Sequence, residues 1–372
     1  MRSFDFAQDD VFSVCHPIQA KRFIKLNEVK RFIKQSDTSS VSDTSFLYSL
    51  NSYLNMALTI FLLILGLGIL IVGGEFLVRG SASIARRFKI SQLVIGLTIV
   101  AFGTSAPELV VNIYSAINGS PDLAVGNIVG SNIANILLIL GISAVIYPLK
   151  VSKGTAWKEI PLALLAVLLL LVFGNDTILD GTGTNILSRA DGLAFMAFFI
   201  IFLYYTFGIS KIEGEKETIA TFGWGSSILM ILGGIIALAG GGQLLVDSAI
   251  KLATLAGMSE SLIGLTIVAI GTSLPELVTA IIAVLHKNDD MAIGNIVGSN
   301  IFNIFWILGL TAVIQPMAFN LTANIDIFVN IGATILLFLF LFSGERQKMN
   351  RQQGATFIFL YAIYILYLIN RG

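Results

Sequence analysis

The stretch GLTIVAFGTSAPELV at residues 96–110 returns as GLTIVAIGTSLPELV at residues 264–278. The similarity continues downstream, where GNIVGSNIANI (126–136) returns as GNIVGSNIFNI (294–304). Residues 96–141 align with residues 264–309 without a gap and are identical at 29 of 46 positions. A constant offset of 168 residues over this length indicates an internal duplication.

Composition predicts that the duplicated chain lies in a lipid bilayer. Of its 372 residues, 55% are hydrophobic and only 12% are charged, whereas charged residues make up about 25% of soluble domains. Apolar runs of about 20 residues, the length that crosses a bilayer, recur from residue 57 almost to the C-terminus. The net charge is zero and Cys15 is the only cysteine. No nucleic-acid partner, obligate protein partner or disulfide framework is therefore expected.

Apolar length and flanking charge predict an all-α, polytopic membrane protein of about ten transmembrane helices. The predicted spans are 57–78, 92–117, 124–146, 159–174, 191–208, 223–246, 260–285, 292–315, 323–343 and 354–369. This topology places thirteen Lys and Arg side chains on one side and only Arg189, Lys251 and Arg371 on the other. Because positive charge concentrates in cytoplasmic connections, both ends of the core are expected outside the cytoplasm of a cell (inner or plasma) membrane.

The duplication divides the chain into two five-helix repeats. The predicted organisation is a polar leader at 1–55, a first repeat at 56–208, a short cytoplasmic connection at 209–222 and a second repeat at 223–372. The leader is interpreted as disordered or as an artefact of the gene start. Because each repeat has an odd number of spans, the second is inverted in the membrane. Inverted repeats are characteristic of secondary transporters, whose sites lie near the midplane at broken helices.

Two glutamates at equivalent repeat positions, Glu108 and Glu276, lie in apolar spans. A charge at mid-membrane costs at least about 2.5 to 3.5 kcal/mol, so the pair predicts a functional site. On a helix, Ala101, Thr104 and Ser105 share one stripe with Glu108. The second repeat presents the same stripe from Ala269, Thr272, Ser273 and Glu276.

A proline precedes each glutamate and is expected to break the helix there. Pro107 and Pro275 have no N–H to donate to the carbonyls of Gly103 and Gly271, four residues back. Such freed carbonyls are tolerated in a membrane where they line an enclosed cavity. The sequence therefore predicts carbonyl, hydroxyl and carboxylate oxygens at one place.

The GNIVGSN segments add further oxygens at four-residue spacing. These are Asn127, Ser131 and Asn135, with Asn295, Ser299 and Asn303 as their counterparts. Gly126, Gly130, Gly294 and Gly298 are expected to let the same helices pack closely. Calcium takes about six to eight oxygen ligands, and two glutamates neutralise one divalent ion. The absence of Cys and His from these motifs argues against zinc and copper.

The paired GTSxPE and GNIVGSN motifs resemble the cation/calcium exchanger superfamily, most closely its prokaryotic sodium/calcium exchangers. The resemblance implies that the motif helices form a central diamond across which the first and sixth helices slide. It implies that Glu108 and Glu276 bind both ions, with backbone carbonyls from Thr104 and Thr272. The flanking sodium sites would be lined by Ser105, Ser273, Ser131, Ser299, Ala101 and Ala269. In such exchangers one member of the Asn135 and Asn303 pair is commonly aspartate, whereas this chain has asparagine in both copies.

The function expected from these motifs is secondary antiport of calcium against sodium, without ATP or a cofactor, since no GxxxxGK[ST] motif occurs. Antiport of calcium against protons is an alternative on the same fold, because a glutamate at a low-dielectric site can itself carry a proton. A cation channel with a pore lined by acids is a second alternative. An enzyme with Ser105 or Ser273 as nucleophile needs a His or Lys base, and these spans contain neither, so no enzymatic activity is expected.

Overall fold

The structure is a computed structural model that describes residues 41–179, 181, 183–209, 222–257, 269–343 and 347–371, with the side chains of these residues from 54 onward except at 209 and 269. Residues 59–372 form one compact unit that contains the hydrophobic core. The helices are α1 Val41–Phe88, α2 Gln92–Thr104, α3 Ala106–Ile117, α4 Pro121–Ile146, α5 Lys153–Phe173, α6 Asp176–Leu179, α7 Arg189–Ile209, α8 Trp224–Leu255, α9 Ala269–Gly271, α10 Leu274–Leu285, α11 Asp289–Ile314, α12 Ala323–Phe340 and α13 Arg351–Arg371.

The prediction of a polytopic, largely helical membrane protein is confirmed. Within the described ranges, eight helices are long and apolar enough to cross a membrane, and α2 with α3 forms a ninth span that is bent by 47°. α10 is a shorter apolar helix. The predicted span 260–285 begins within residues 258–268, which lie outside the described part of the chain. The structure therefore leaves the predicted total of ten untested.

Several helix boundaries differ from the predicted ones. α1 ends at Phe88 instead of near residue 78, and α8 ends at Leu255 instead of near residue 246. Glu75 and Arg79, which lie beside the predicted end at residue 78, form an ion pair across one helical turn, so the helix continues through them. α1 also begins at Val41, so the predicted leader boundary falls inside a helix. Residues 1–40 lie outside the described ranges.

Two short antiparallel strand pairs, absent from the all-α prediction, join the connections between helices. β1 (Leu149–Lys150) pairs with β4 (Lys348–Met349), and β2 (Ile186–Leu187) pairs with β3 (Met317–Ala318). The predicted topology places β1 and β4 together on the lysine- and arginine-rich side and places β2 and β3 together on the other side. Two-residue strands carry too little alternation to be recognised from a sequence.

The centre of the unit is formed by α4 and α11. Their most apolar windows are 78% and 83% buried, against 22% to 39% in the other six long helices. α2 packs against α11, and α10 packs against both α11 and α4. A Cβ on Gly294 would lie 2.7 Å from the Leu93 carbonyl oxygen, and one on Gly298 would lie 2.9 Å from Leu97 Cα, so the predicted close packing is confirmed for this copy. The equivalent neighbours of Gly126 and Gly130 in the other repeat, around residues 261–265, are outside the described residues.

The first helices of the two repeats, α1 and α8, touch backbone to backbone at glycines. A Cβ on Gly66 would lie 2.8 Å from the Leu245 nitrogen and 3.0 Å from the Gly241 carbonyl oxygen. A Cβ on Gly234, the repeat equivalent of Gly66, would lie 2.8 Å from the carbonyl oxygen of Gly73. Small residues permit this approach of two membrane helices. The contact is symmetric, because Gly73 and Gly241 are also repeat equivalents.

Candidate functional site

Both motif helices break at a serine. Ser105, with φ −84° and ψ 9°, separates α2 from α3, and Ser273, with φ −87° and ψ 5°, precedes α10. The following prolines lie in the first helical turn, where a missing N–H leaves no intrahelical bond unmade. Glu108 and Glu276 lie in the same first turns. Each carboxylate is thus near a helix N-terminus, whose partial positive charge favours an anion.

The carboxylate of Glu276 is held by hydroxyls from both repeats. Ser105 Oγ donates to Glu276 Oε1 at 2.8 Å, across 171 residues of sequence. Ser299 Oγ lies 3.0 Å from Ser105 Oγ and 3.4 Å from the same carboxylate oxygen. The two repeats therefore build one shared site.

The carboxylate of Glu108 is fully buried, and neither of its oxygens accepts a hydrogen bond from a described residue. The hydroxyls of Thr272 and Ser131 lie near it without reaching hydrogen-bond geometry. Within the same described set, the Ser131 and Ser273 hydroxyls also lack partners. Glu108 and Glu276 are close enough to repel each other. Two buried acids with unpartnered oxygens are unfavourable unless positive charge balances them, so this arrangement suits a cation.

The threonines of the GTSxPE motifs bond across the repeats in a symmetric way. Thr104 Oγ1 donates to Asn295 Oδ1 at 3.1 Å, and Thr272 Oγ1 donates to Asn127 Oδ1 at 3.3 Å. These bonds use the hydroxyl hydrogen of each threonine, while the hydroxyl oxygens keep their lone pairs, and main-chain carbonyls are further oxygens with which the motif can bind an ion. The carbonyl of Gly103 receives no hydrogen bond from position 107, because proline has no N–H.

The sequence analysis missed two asparagines, Asn132 of α4 and Asn300 of α11, which lie where these two helices meet. Asn132 Nδ2 donates to the Asn300 carbonyl oxygen at 3.2 Å, and Asn300 Nδ2 donates to the Asn132 carbonyl oxygen at 3.3 Å. Both residues belong to the repeated GNIVGSN motif, so their recurrence at the 168-residue offset was the available signal. The π-helical turns Ala134–Leu140 and Phe302–Leu308 begin just after them. Such turns are frequent at functional sites.

The structure brings most of the predicted site residues into the protein interior. Ala101, Thr104, Ser105, Glu108, Ser131, Asn135, Ser273, Glu276, Ser299 and Asn303 are all buried, and Thr272 is half-buried. The side chain of Ala269 is outside the described set. No group of three His, Cys, Asp or Glu residues could hold a metal ion in the part of the chain described. Glu108 and Glu276 are the two acidic side chains among the predicted site residues.

Comparison with known proteins shows to which family this chain is similar. The profile of the family described as sodium/calcium exchanger protein matches residues 58–208 and 226–370. The protein CaxA of Alkalimonas amylolytica is 40% identical over 318 residues, which cover 82% of this chain and 97% of CaxA. The sodium/calcium exchanger MaX1 of Methanosarcina acetivorans is 29% identical over 345 residues, which cover 82% and 97% of the two chains.

A solved structure shows the same similarity in three dimensions. The sodium-calcium exchanger NCX_Mj, soaked with 2.5 mM Na+ and 10 mM Sr2+, superposes with a TM-score of 0.72 at 35% identity. The superposition covers 84% of this chain and 99% of that chain. The family profile extends over both repeats and includes both glutamates. This chain belongs to the sodium/calcium exchanger protein family.

Proposed function

We propose that this protein is a secondary antiporter that exchanges Ca2+ for Na+ through the site at Glu108 and Glu276. The observation that carries the proposal is the pair of neighbouring buried carboxylates, one of which finds no hydrogen-bond donor among the described residues. The relatives MaX1 and NCX_Mj, which are named sodium/calcium exchangers, support sodium as the counter-ion. Proton coupling, the alternative on the same fold, is not favoured by these relatives.

The proposed ligands are oxygens from both repeats. Two glutamates neutralise one Ca2+, whose flexible coordination needs about six to eight oxygens. The proposed ligand set for Ca2+ and Na+ is Glu108, Glu276, Thr104, Thr272, Ser105, Ser273, Ser131, Ser299, Asn135, Asn303, Ala101 and Ala269.

Competition for the same carboxylates supplies the coupling between the two ions. With no ion bound, two like charges would face each other in a low-dielectric interior, which opposes any rearrangement that encloses them. One Ca2+ or two Na+ cancel the two negative charges. The protein therefore rearranges readily only when the site holds Ca2+ or Na+. This requirement lets the sodium gradient drive calcium movement without ATP.

The proposal includes the architecture that such exchange requires. Ten helices would form two inverted five-helix repeats, at 56–208 and 223–372, joined by the connection 209–222 in the cell membrane. The hydrogen bonds between Thr104 and Asn295 and between Thr272 and Asn127, which are related by the repeat, support this symmetry. The strand pairs β1–β4 and β2–β3 agree with alternating helix directions.

The test is uptake of calcium-45 into proteoliposomes that contain the purified protein. Vesicles preloaded with Na+ are compared with identical vesicles preloaded with K+ or choline. We expect uptake only with internal Na+, and its loss in Glu108→Gln and in Glu276→Gln. Glu159→Gln is the matched control, because Glu159 is also fully buried but bonds to Tyr205 outside the site. Uptake that is indifferent to internal Na+, or that is normal in either site variant, would overturn the proposal.

A further inference from the structure

Four buried asparagines form one hydrogen-bonded network where α4 meets α11. Asn132 and Asn300 donate to each other's backbone carbonyl oxygens. Asn135 Nδ2 donates to Asn300 Oδ1 at 2.9 Å, and Asn303 Nδ2 donates to Asn132 Oδ1 at 2.9 Å. Each of these bonds crosses from one repeat to the other. All four side chains are at most 3% exposed, so water does not compete for them.

Two backbone carbonyls determine how all four amides are oriented. A carbonyl oxygen only accepts hydrogen bonds, so Asn132 and Asn300 must turn their NH2 groups toward those carbonyls. Their own Oδ1 atoms then face Asn303 and Asn135. Because these oxygens also only accept, the partner atoms on Asn135 and Asn303 must be NH2 groups. The amide orientations thus follow from the network and require no separate assignment.

This orientation leaves an amide oxygen free on each of the two predicted ligands. Asn135 Oδ1 and Asn303 Oδ1 are buried and have no hydrogen-bond partner among the residues described. Calcium and sodium bind amide oxygens, whereas an amide N–H would point its positive end at the cation. An amide rotated by half a turn at either position would therefore replace a ligand with a repulsive group.

We propose that Asn132 and Asn300 are positioning residues that hold the side-chain oxygens of Asn303 and Asn135, respectively, toward the transported cation. The inference rests on the proposed function, because it assigns the two amides to that site. Each repeat orients the ligand of the other repeat. The pairing is crosswise: Asn132 acts on Asn303, and Asn300 acts on Asn135.

The network also accounts for asparagine in both copies of the motif. An ionised aspartate at position 303 has no proton to donate to Asn132 Oδ1. It would place two acceptor oxygens at the 2.9 Å separation that the hydrogen bond now spans. The same argument applies to position 135. Asn132 and Asn300 therefore accommodate neutral amides at positions 303 and 135.

The experiment measures the Kd of calcium-45 for the purified protein together with sodium-driven uptake. Leucine resembles asparagine in shape and makes no side-chain hydrogen bond. We expect Asn132→Leu to raise the Kd about tenfold, which corresponds to about 1.4 kcal/mol. In an Asn303→Leu background, Asn132→Leu should not raise the Kd further, because the effects of residues that act as a unit are not additive. In an Asn135→Leu background, the tenfold effect of Asn132→Leu on the Kd should persist.

The control is Asn330→Leu, a fully buried asparagine of α12 that is not part of the network. It should leave the Kd unchanged, which separates positioning from loss of a buried amide. An Asn132→Leu Kd equal to that of Asn330→Leu, or equal effects of Asn132→Leu in both double-mutant backgrounds, would refute the crosswise positioning. Wild-type protein that binds Ca2+ without sodium-driven uptake would refute the proposed function alone. Wild-type protein that does not bind Ca2+ would refute both.

Discussion

The glycine contact between α1 and α8 predicts that one added methyl group weakens the fold at a defined place. In Gly66→Ala the new Cβ would lie 2.8 Å from the Leu245 nitrogen and 3.0 Å from the Gly241 carbonyl oxygen. Backbone atoms cannot rotate away as a side chain can, so the helices must separate by about 0.7 Å to restore a contact of about 3.5 Å. Overpacking of this kind costs about 1 to 3 kcal/mol.

Gly68→Ala is the matched control two residues along the same helix. Gly68 is exposed, and no described heavy atom lies within 4 Å of the position its Cβ would take. Both substitutions gain the same helix propensity, about 0.5 to 1 kcal/mol. The difference between the two variants therefore isolates the overpacking.

The assay is unfolding by SDS in mixed micelles, followed by tryptophan fluorescence. Gly66→Ala is expected to be less stable than Gly68→Ala by about 1 to 3 kcal/mol in free energy of unfolding. Equal unfolding free energies for the two variants would show that the helices are not in backbone contact at this glycine.

Two further substitutions test hydrogen bonds to buried carboxylates. Ser105→Ala removes a proposed sodium ligand, whose hydroxyl donates to Glu276 Oε1 at 2.8 Å. The Na+ concentration for half-maximal calcium exchange should therefore rise about tenfold, which is equivalent to about 1.4 kcal/mol. An unchanged Na+ concentration would contradict this role. Tyr205→Phe removes the hydroxyl that donates to the buried Glu159 at 2.6 Å, and the unfolding free energy should fall by about 1 to 3 kcal/mol. Tyr204→Phe, on a neighbour that is 84% exposed, should leave stability unchanged, and equal losses in both tyrosine variants would contradict the prediction.

The break in the motif helices could be predicted because it follows from covalent structure. Pro107 has no N–H and Gly103 weakens the helix, so unwinding between them needs no knowledge of the partner helices. Ser105 is the residue at which the structure shows the break. The equivalent positions in the second repeat behave in the same way, with the break at Ser273.

The prediction that the first span ends near residue 78 was wrong, because the helix continues for ten more residues. Glu75 and Arg79 lie beside that predicted end, yet they pair along α1 and the helix runs to Phe88. His286, just after the end of α10, also contacts this glutamate: its Nε2 atom lies 2.9 Å from Glu75 Oε1. The local sequence does not reveal that a charge inside an apolar helix has found partners, because one of them lies 211 residues away.

The sequence by itself determined the membrane environment and the duplication, and it predicted an all-oxygen cation site around Glu108 and Glu276. These conclusions depend on composition, spacing and the chemistry of individual residues, which any folded arrangement of the chain must respect. Only the tertiary structure decided which side chains meet: Ser105 with Glu276, and Asn132 with Asn303. Each partnership joins different repeats, and its geometry depends on how the helices cross and in what register. Crossing and register are set by the packing of all the helices together, so no local pattern in the sequence encodes them.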